Sequence, residues 1–257
     1  MWGNRGCMTT TLGLPDDIQA CLFDLDGVVT RTAVVHAAAW KETFDAFLRA
    51  REGADYRPFD SAGDYDEYVD GRPRADGVRT FLASRGIELP EGDPADPPDA
   101  QTVHGLGNRK NELLLERIRT DGVEPYDGTL RYVEAARARG LRTAIVSSSA
   151  NTRDVLRSIH AEHLFDVRVD GVVAAERGLP GKPRPDTFLA AARDLGVEPA
   201  RAAVFEDALA GMDAGRAGNF GHVVGVDRVG QTDALYAHGA DVVVKDLDDL
   251  IGQGGDA

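Results

Sequence analysis

Cysteine is nearly absent from this sequence, and lysine is scarce. Two cysteines, Cys7 and Cys21, stand among 257 residues, too few for a disulfide framework and without the spacing of a zinc site. Cys21 lies inside the apolar run Ala20 to Phe23, where it reads as a small buried hydrophobe. A reducing, cytoplasmic setting fits that usage. No apolar run approaches the roughly 20 residues of a membrane helix. The first 15 residues also lack the continuous apolar segment of a signal peptide. Met8 offers a second start, which would leave residues 1–7 as an unstructured extension. Basic charge is in deficit as well: 29 Lys+Arg against 43 Asp+Glu give a net charge of −14. Neither a nucleic-acid backbone nor an anionic membrane surface is therefore an expected partner. Only four of the basic residues are lysines, Lys41, Lys110, Lys182 and Lys245, against 25 arginines. A site that needs a compact ammonium cannot use the planar guanidinium fork, so each lysine is a candidate for such a site.

The length is enough for one or two domains at the usual ~150 residues each. Short, nearly continuous apolar runs occur at Ala20 to Phe23, Thr143 to Val146, Val167 to Val169, Ala202 to Phe205, His222 to Val226 and Asp241 to Val244. The later ones are separated by helical patterns from about Thr152 and around Pro185 to Leu195. Strands that are apolar on both faces, alternating with helices, predict an α/β fold built on a doubly wound parallel sheet. Between the first run and the second the texture changes to amphipathic helices, Val34 to Arg51 and Gly105 to Arg119, with a Pro/Asp-rich loop at residues 91–100. This predicts an all-helical cap domain at residues 32–119, inserted into a core made of 1–31 and 120–257. Hinges are expected near Thr30 to Ala33 and Thr120 to Tyr126.

The chemistry-bearing residues fall at strand ends. Asp24-Leu25-Asp26-Gly27 directly follows Ala20 to Phe23, which puts two carboxylates where an open α/β sheet presents its ligand site. Two acids so close repel one another unless a divalent cation neutralises them, and aspartate oxygens suit Mg2+. Ser147-Ser148-Ser149 follows Thr143 to Val146, placing a hydroxyl and backbone N–H groups where a phosphoryl oxygen could be held. Lys182 sits in Gly181-Lys-Pro-Arg-Pro-Asp186, and Glu206-Asp207 follows Ala202 to Phe205. Each has an ordinary structural explanation, as a turn, a helix N-cap or a solvated loop charge. Together they supply a nucleophile, a hydroxyl ligand, a cation and a metal-binding pair, a complete set for phosphoryl transfer.

In this combination the chain resembles the haloacid dehalogenase superfamily over about residues 18–250. Its four motifs match as Asp24-Leu-Asp26-Gly27, Ser147, Lys182 and Glu206-Asp207. Further likeness to the β-phosphoglucomutase subgroup lies in His36 and Trp40, Gly71-Arg-Pro-Arg74, Arg109-Lys110-Asn111 and the serine run ending in Asn151. The chain departs from that subgroup at Arg31, where an Asp is usual, at Ala150, where a Lys is usual, and at Pro73, where a small residue is common. The resemblance implies that Asp24 attacks phosphorus and becomes an aspartyl phosphate. Mg2+ would be held by Asp24, the Asp26 carbonyl and Asp207, with Glu206 assisting. Asp26 would act as general acid and base, and Ser147, Ser148, Gly27 and Lys182 would bind the reacting phosphate. Arg74, with Lys110, Asn111 and Asn151, would bind the substrate's distal parts. His36, near the hinge, would couple closure to catalysis, although by itself it reads as a helix-surface or core histidine. The implied substrate is a small-molecule sugar phosphate, and the implied reaction interconverts β-glucose 1-phosphate and glucose 6-phosphate through a bisphosphate. A sugar-phosphate phosphatase on the same scaffold is the alternative. A phospho-receiver module is more remote, since such modules lack a helical insertion and a second acid. A monomer is compatible with the sequence.

Overall fold

The computed structural model of the protein describes residues 10–253. The expected extension at 1–7, with Cys7, and Met8 lie outside those residues. In chain order the elements are β1 (Thr10–Thr11), β2 (Ala20–Phe23), α1 (Ala33–Glu52), α2 (Gly63–Tyr68), α3 (Arg74–Ser84), α4 (Val103–Asp121) and α5 (Asp127–Ala138). There follow β3 (Arg142–Val146), α6 (Thr152–Ser158), β4 (Val167–Val169), α7 (Gly171–Arg177), α8 (Asp186–Leu195), β5 (Ala202–Glu206) and α9 (Leu209–Ala217). The chain closes with β6 (His222–Val226), α10 (Thr232–Ala237), β7 (Val242–Val244) and β8 (Gly252–Gln253).

Six strands form one parallel sheet in the order β4-β3-β2-β5-β6-β7. The apolar runs become strands because helices cover both faces of the sheet. In β2, Cys21 and Phe23 join a cluster with Tyr132, Ile145 and Phe205, while Ala20 and Leu22 point to the other face and pack with Phe188, Val204 and Met212. All four β2 residues are fully buried, so the strand reads as continuous rather than alternating. Phe23 stacks on Phe205 with ring centroids 4.4 Å apart. An aromatic buried this way stabilises the fold by roughly 2–3 kcal/mol. Winding proceeds outward from β2 through β3 to β4, then restarts on its other side at β5. This reversal lies between β2 and β5, so the loops leaving those two strands diverge and open a crevice. Beside the sheet, β1 and β8 pair antiparallel and join the two ends of the described chain; no sequence pattern announced this pair.

Helices α1 to α4 enclose a hydrophobic cluster of their own, centred on Trp40, Phe44, Phe59, Phe81 and Leu106. Phe44 stacks on Trp40 at 4.9 Å and packs against Phe81 at 4.2 Å. The helix expected over 105–119 is longer at both ends. Thr102 caps it by accepting from the Gly105 N–H at 2.9 Å, and Gly122, at φ +78°, ends it. A boundary drawn at 119/120 therefore falls inside the last turn of α4, and the connection back to the sheet begins at Gly122. The outgoing and returning connections run side by side: the Arg31 N–H donates to Glu124 O and the Tyr126 N–H to Val29 O, both at 2.9 Å.

Candidate active site

A cavity of about 300 Å³ lies between the carboxyl edge of the sheet and helices α1, α3 and α4. Its floor begins at Asp24, whose N–H continues the sheet ladder to Phe205 O at 3.0 Å. Glu206 and Asp207 end the neighbouring strand. Carboxylate oxygens of Asp24, Glu206 and Asp207 all lie within 4.8 Å of one another. Lys182, fully buried, projects into this group: its Nζ donates to Asp24 Oδ1 at 2.5 Å and Val146 O at 3.0 Å, and lies 2.5 Å from Glu206 Oε1. The other Glu206 oxygen accepts from the N–H groups of Asp207 and Ala208 at 3.2 and 3.1 Å.

Burial pushes the Asp24 and Asp207 carboxyls well above their ordinary range. Lys182 opposes this at Asp24, whereas neighbouring carboxylates, Asp70 first, reinforce it at Asp207. Burial also works against the Lys182 ammonium, but Asp24 and Glu206 outweigh it and its pKa is raised. Three carboxylates against one ammonium leave a deficit of two positive charges. Asp207 Oδ1 is buried without a hydrogen-bond partner. An all-oxygen set with that deficit and an unpartnered oxygen fits a hard divalent cation.

Asp26 stands apart from this cluster. Thr32 Oγ1 hydrogen-bonds its Oδ1, and His36 Nε2 lies 3.5 Å from the same oxygen. His36 Nδ1 is in turn 3.0 Å from Lys110 Nζ, which sits 4.9 Å over the Trp40 ring. Buried together, these basic groups are weakened. Lys110 is pushed down to about 7 by burial, with Asp26 opposing and Arg74 adding. His36 is pushed down to about 4 by burial and by Lys110. Arg74, the first residue of α3, is lowered by burial and held by Asn108 Oδ1 at 3.1 Å. Asn111 accepts from Asn151 Nδ2 at 3.0 Å, joining α4 to the loop after β3.

Most of the residues expected from sequence therefore line one cavity: Asp24, Asp26, His36, Arg74, Lys110, Asn111, Ser147, Ser148 and Asn151. Ser147 Oγ accepts from the Ser149 N–H at 3.1 Å, and the Ser148 hydroxyl donates across the cavity to Gly71 O at 2.7 Å. Gly27, expected at the phosphate, is not among the lining residues. Its N–H donates to Thr30 O at 2.8 Å and its carbonyl accepts from Arg228 Nε at 2.8 Å, so the N–H is not free to donate to a phosphate. Its φ of +91° and its close approach to Asp207, whose Oδ2 would lie 1.7 Å from any Cβ there, explain the glycine instead. Other contributors carry no sequence signal. Tyr65 and Asp70 line the cavity from the segment before α3, and burial raises Asp70 to about 7. The loop after β6 holds two motif loops at once, Arg228 on Gly27 O and Gln231 Nε2 on Asp207 O at 2.9 Å.

A sheet edge that concentrates carboxylates and a buried ammonium beneath a cavity lined in part by basic helix residues is the architecture of an enzyme acting on an anionic group. A family model described as haloacid dehalogenase-like hydrolase matches residues 18–219. The chain belongs to that family. It is 56% identical over 246 residues to a beta-phosphoglucomutase of Mycobacterium bovis, covering 93% of this chain and 94% of that one. A crystal structure of beta-phosphoglucomutase from Clostridium difficile superposes with a TM-score of 0.70 at 25% identity, covering 91% of this chain and 93% of that chain. A trehalose-phosphate phosphatase of Mycobacterium leprae is 35% identical over 146 residues, 55% of this chain and 32% of that protein. Among the described residues, no helix is long and apolar enough to cross a membrane.

Proposed function

We propose that this enzyme is a phosphomutase that interconverts β-glucose 1-phosphate and glucose 6-phosphate through an aspartyl phosphate on Asp24 and a bisphosphate intermediate. The observation that carries this reading is that a single cavity is lined both by Asp24, Asp26 and Ser147 from the sheet's edge and by Arg74 and Lys110 from helices α3 and α4. A bisphosphate needs such a pair of anion sites, whereas a single phosphate needs one. The 56% identity to a beta-phosphoglucomutase supports the same choice.

Mg2+ is the proposed cofactor, held by Asp24, the Asp26 carbonyl and Asp207. Glu206, with both oxygens engaged, would act through Lys182 and through water. When bound, the ion supplies the positive charge that lets a carboxylate approach a phosphate dianion. The remaining steps belong to the chain. Asp24 forms the new bond to phosphorus while Asp26, held by Thr32 and facing His36, gives a proton to the departing sugar oxygen. Lys182 and the Ser147 loop stabilise the transferring group. In the second half-reaction Asp26 takes the proton of the acceptor hydroxyl as the phosphoryl group leaves Asp24. Helices α1 to α4 are read as a cap that shields this step. Preferring a sugar over 55 M water by ~10³ requires about 4 kcal/mol of differential barrier.

A sugar-phosphate phosphatase is the second reading, favoured by the partial likeness to a trehalose-phosphate phosphatase. Both readings use Asp24 and Asp26, so the products decide. Purified protein with Mg2+, β-glucose 1-phosphate and a trace of the bisphosphate is expected to form glucose 6-phosphate with little free phosphate. Phosphate released in step with substrate loss establishes the phosphatase instead.

A further inference from the structure

The segment Gly71 to Arg74, leading into α3, touches three separate loops of the sheet's carboxyl edge. Gly71 O accepts from Ser148 Oγ, after β3, at 2.7 Å. The Gly71 backbone lies against the loop after β5, so that a Cβ on Gly71 would sit 3.0 Å from Ala208 Cβ. Pro73 closes over Gly181, the residue before Lys182. A Cβ placed on Gly181 would lie 2.1 Å from Pro73 Cγ and 2.7 Å from its Cδ, but 3.5 Å from its Cβ. The conflict is therefore with the far part of the pyrrolidine ring alone. Gly181 is also not among the glycines with positive φ, so its backbone accepts an alanine without strain.

The position of Pro73 gives this fit its reach. It is the residue before α3, with φ −55°, and Arg74 follows as the first helical residue. Its carbonyl accepts from the Gly77 N–H in the first turn of α3 at 2.9 Å, so a displacement of Pro73 is carried into the start of the helix and Arg74. A loop that cannot seat on Gly181 both withdraws Arg74 and opens a gap above Lys182 and Asp24.

We propose that the Pro73–Gly181 contact is a specificity-determining fit that selects a sugar hydroxyl over water as the acceptor of the phosphoryl group. This rests on the mutase reading above. With either acceptor the bond from phosphorus to the Asp24 oxygen breaks, a new bond forms to the acceptor oxygen, and the acceptor's proton passes to Asp26. The acceptors differ in what they require. A sugar must be gripped at its far end, which needs Arg74 in place, while water needs only a gap. Seating the loop satisfies the first requirement and denies the second.

The test uses Gly181→Ala, Pro73→Ala and the double variant, with glucose 6-phosphate formation and phosphate release measured together from β-glucose 1-phosphate, Mg2+ and a trace of bisphosphate. Gly181→Ala is expected to raise phosphate released per glucose 6-phosphate formed by roughly tenfold, because overpacking forces the loop off its seat. Pro73→Ala removes the two clashing atoms, so the double variant is expected to return to within about threefold of the Pro73→Ala enzyme, as an ordinary contact replaces the clash. Gly181→Ala that keeps the parent's ratio overturns the inference, and so does a double variant that leaks about tenfold more than Pro73→Ala, as Gly181→Ala is expected to leak more than the parent. Should Gly181→Ala not fold, a double variant that folds and keeps the ratio of Pro73→Ala supports the fit, and one that also fails to fold overturns it. A parent enzyme that forms no glucose 6-phosphate overturns the mutase reading and this inference with it. A parent that forms it, with variants that do not behave as stated, overturns the inference alone.

Discussion

The two ends of the cavity are built in opposite ways. At the acidic end, Asp24, Glu206 and Asp207 sit at the tips of adjacent strands, one residue or less beyond the last ladder bonds. Burial there raises the pKa values of Asp24 and Asp207. At the basic end, His36, Arg74 and Lys110 come from three different helices, α1, α3 and α4, and burial lowers their pKa values. The strand tips thus hold an excess of negative charge, and the helices hold three basic groups with one carboxylate, Asp26, beside His36. Such an arrangement costs stability when empty and is offset when a ligand brings the missing charge, which under the proposed function is a cation at the strand tips and a phosphate at the helices. Under the proposed function, this difference assigns the strand tips to a cofactor and the helices to a substrate.

The largest test breaks the acidic end. Chelation of divalent ions is expected to abolish turnover, and added Mg2+ to restore it. The same end makes a prediction about stability. Asp24 and Asp207 have folded pKa values above the unfolded ones, so the metal-free fold binds protons more tightly and loses stability as pH rises from the unfolded toward the folded values. A divalent cation removes that loss. The Mg2+-induced rise in Tm is therefore expected to be larger at pH 7 than at pH 5, and equal shifts would contradict the assignment.

Breaking the basic end should weaken binding more than chemistry. Arg74→Ala is expected to raise KM for β-glucose 1-phosphate by roughly 10- to 100-fold, with Arg74→Lys intermediate, because an ammonium cannot replace a bidentate grip. A variant that lowers kcat while leaving KM unchanged would place Arg74 outside the substrate site. The smallest effect concerns Lys110. With a pKa near 7 in the free enzyme, it is charged below that pH and loses its proton above it. Hence kcat/KM is expected to fall as pH rises through 7 and beyond, by up to about tenfold per unit. Lys110→Arg, which stays charged, should remove that limb, and a profile unchanged by the substitution would refute the assignment.

The same contrast explains what could be read from the sequence. The inner strands were legible because both faces are buried: Ala20 to Phe23 and His222 to Val226 are strands at the limits expected, and so is the half-buried edge strand Val167 to Val169. The residues at their tips followed directly, since a strand end fixes where the next side chain goes. Pairings across the helices were not legible. His36 and Lys110 lie 74 positions apart, and only packing of α1 on α4 brings them together. Asp70 and Tyr65 come from a short segment without periodicity. Arg228 and Gln231 act on backbone carbonyls, which every residue has, so no motif marks their targets. Gly27 illustrates the converse: a motif residue whose glycine is required by the approach of Asp207 and not by a ligand.

The central claim is that Asp24 takes the phosphoryl group from one sugar oxygen and returns it to another. Enzyme mixed with Mg2+ and bisphosphate, quenched in acid and digested, can be mapped by mass spectrometry for an acyl phosphate. The account predicts the mass of one phosphoryl group on the peptide containing Asp24 and Asp26, localised to Asp24 and lost in Asp24→Asn. A phosphoryl group on any other residue, or full turnover by Asp24→Asn, would contradict it.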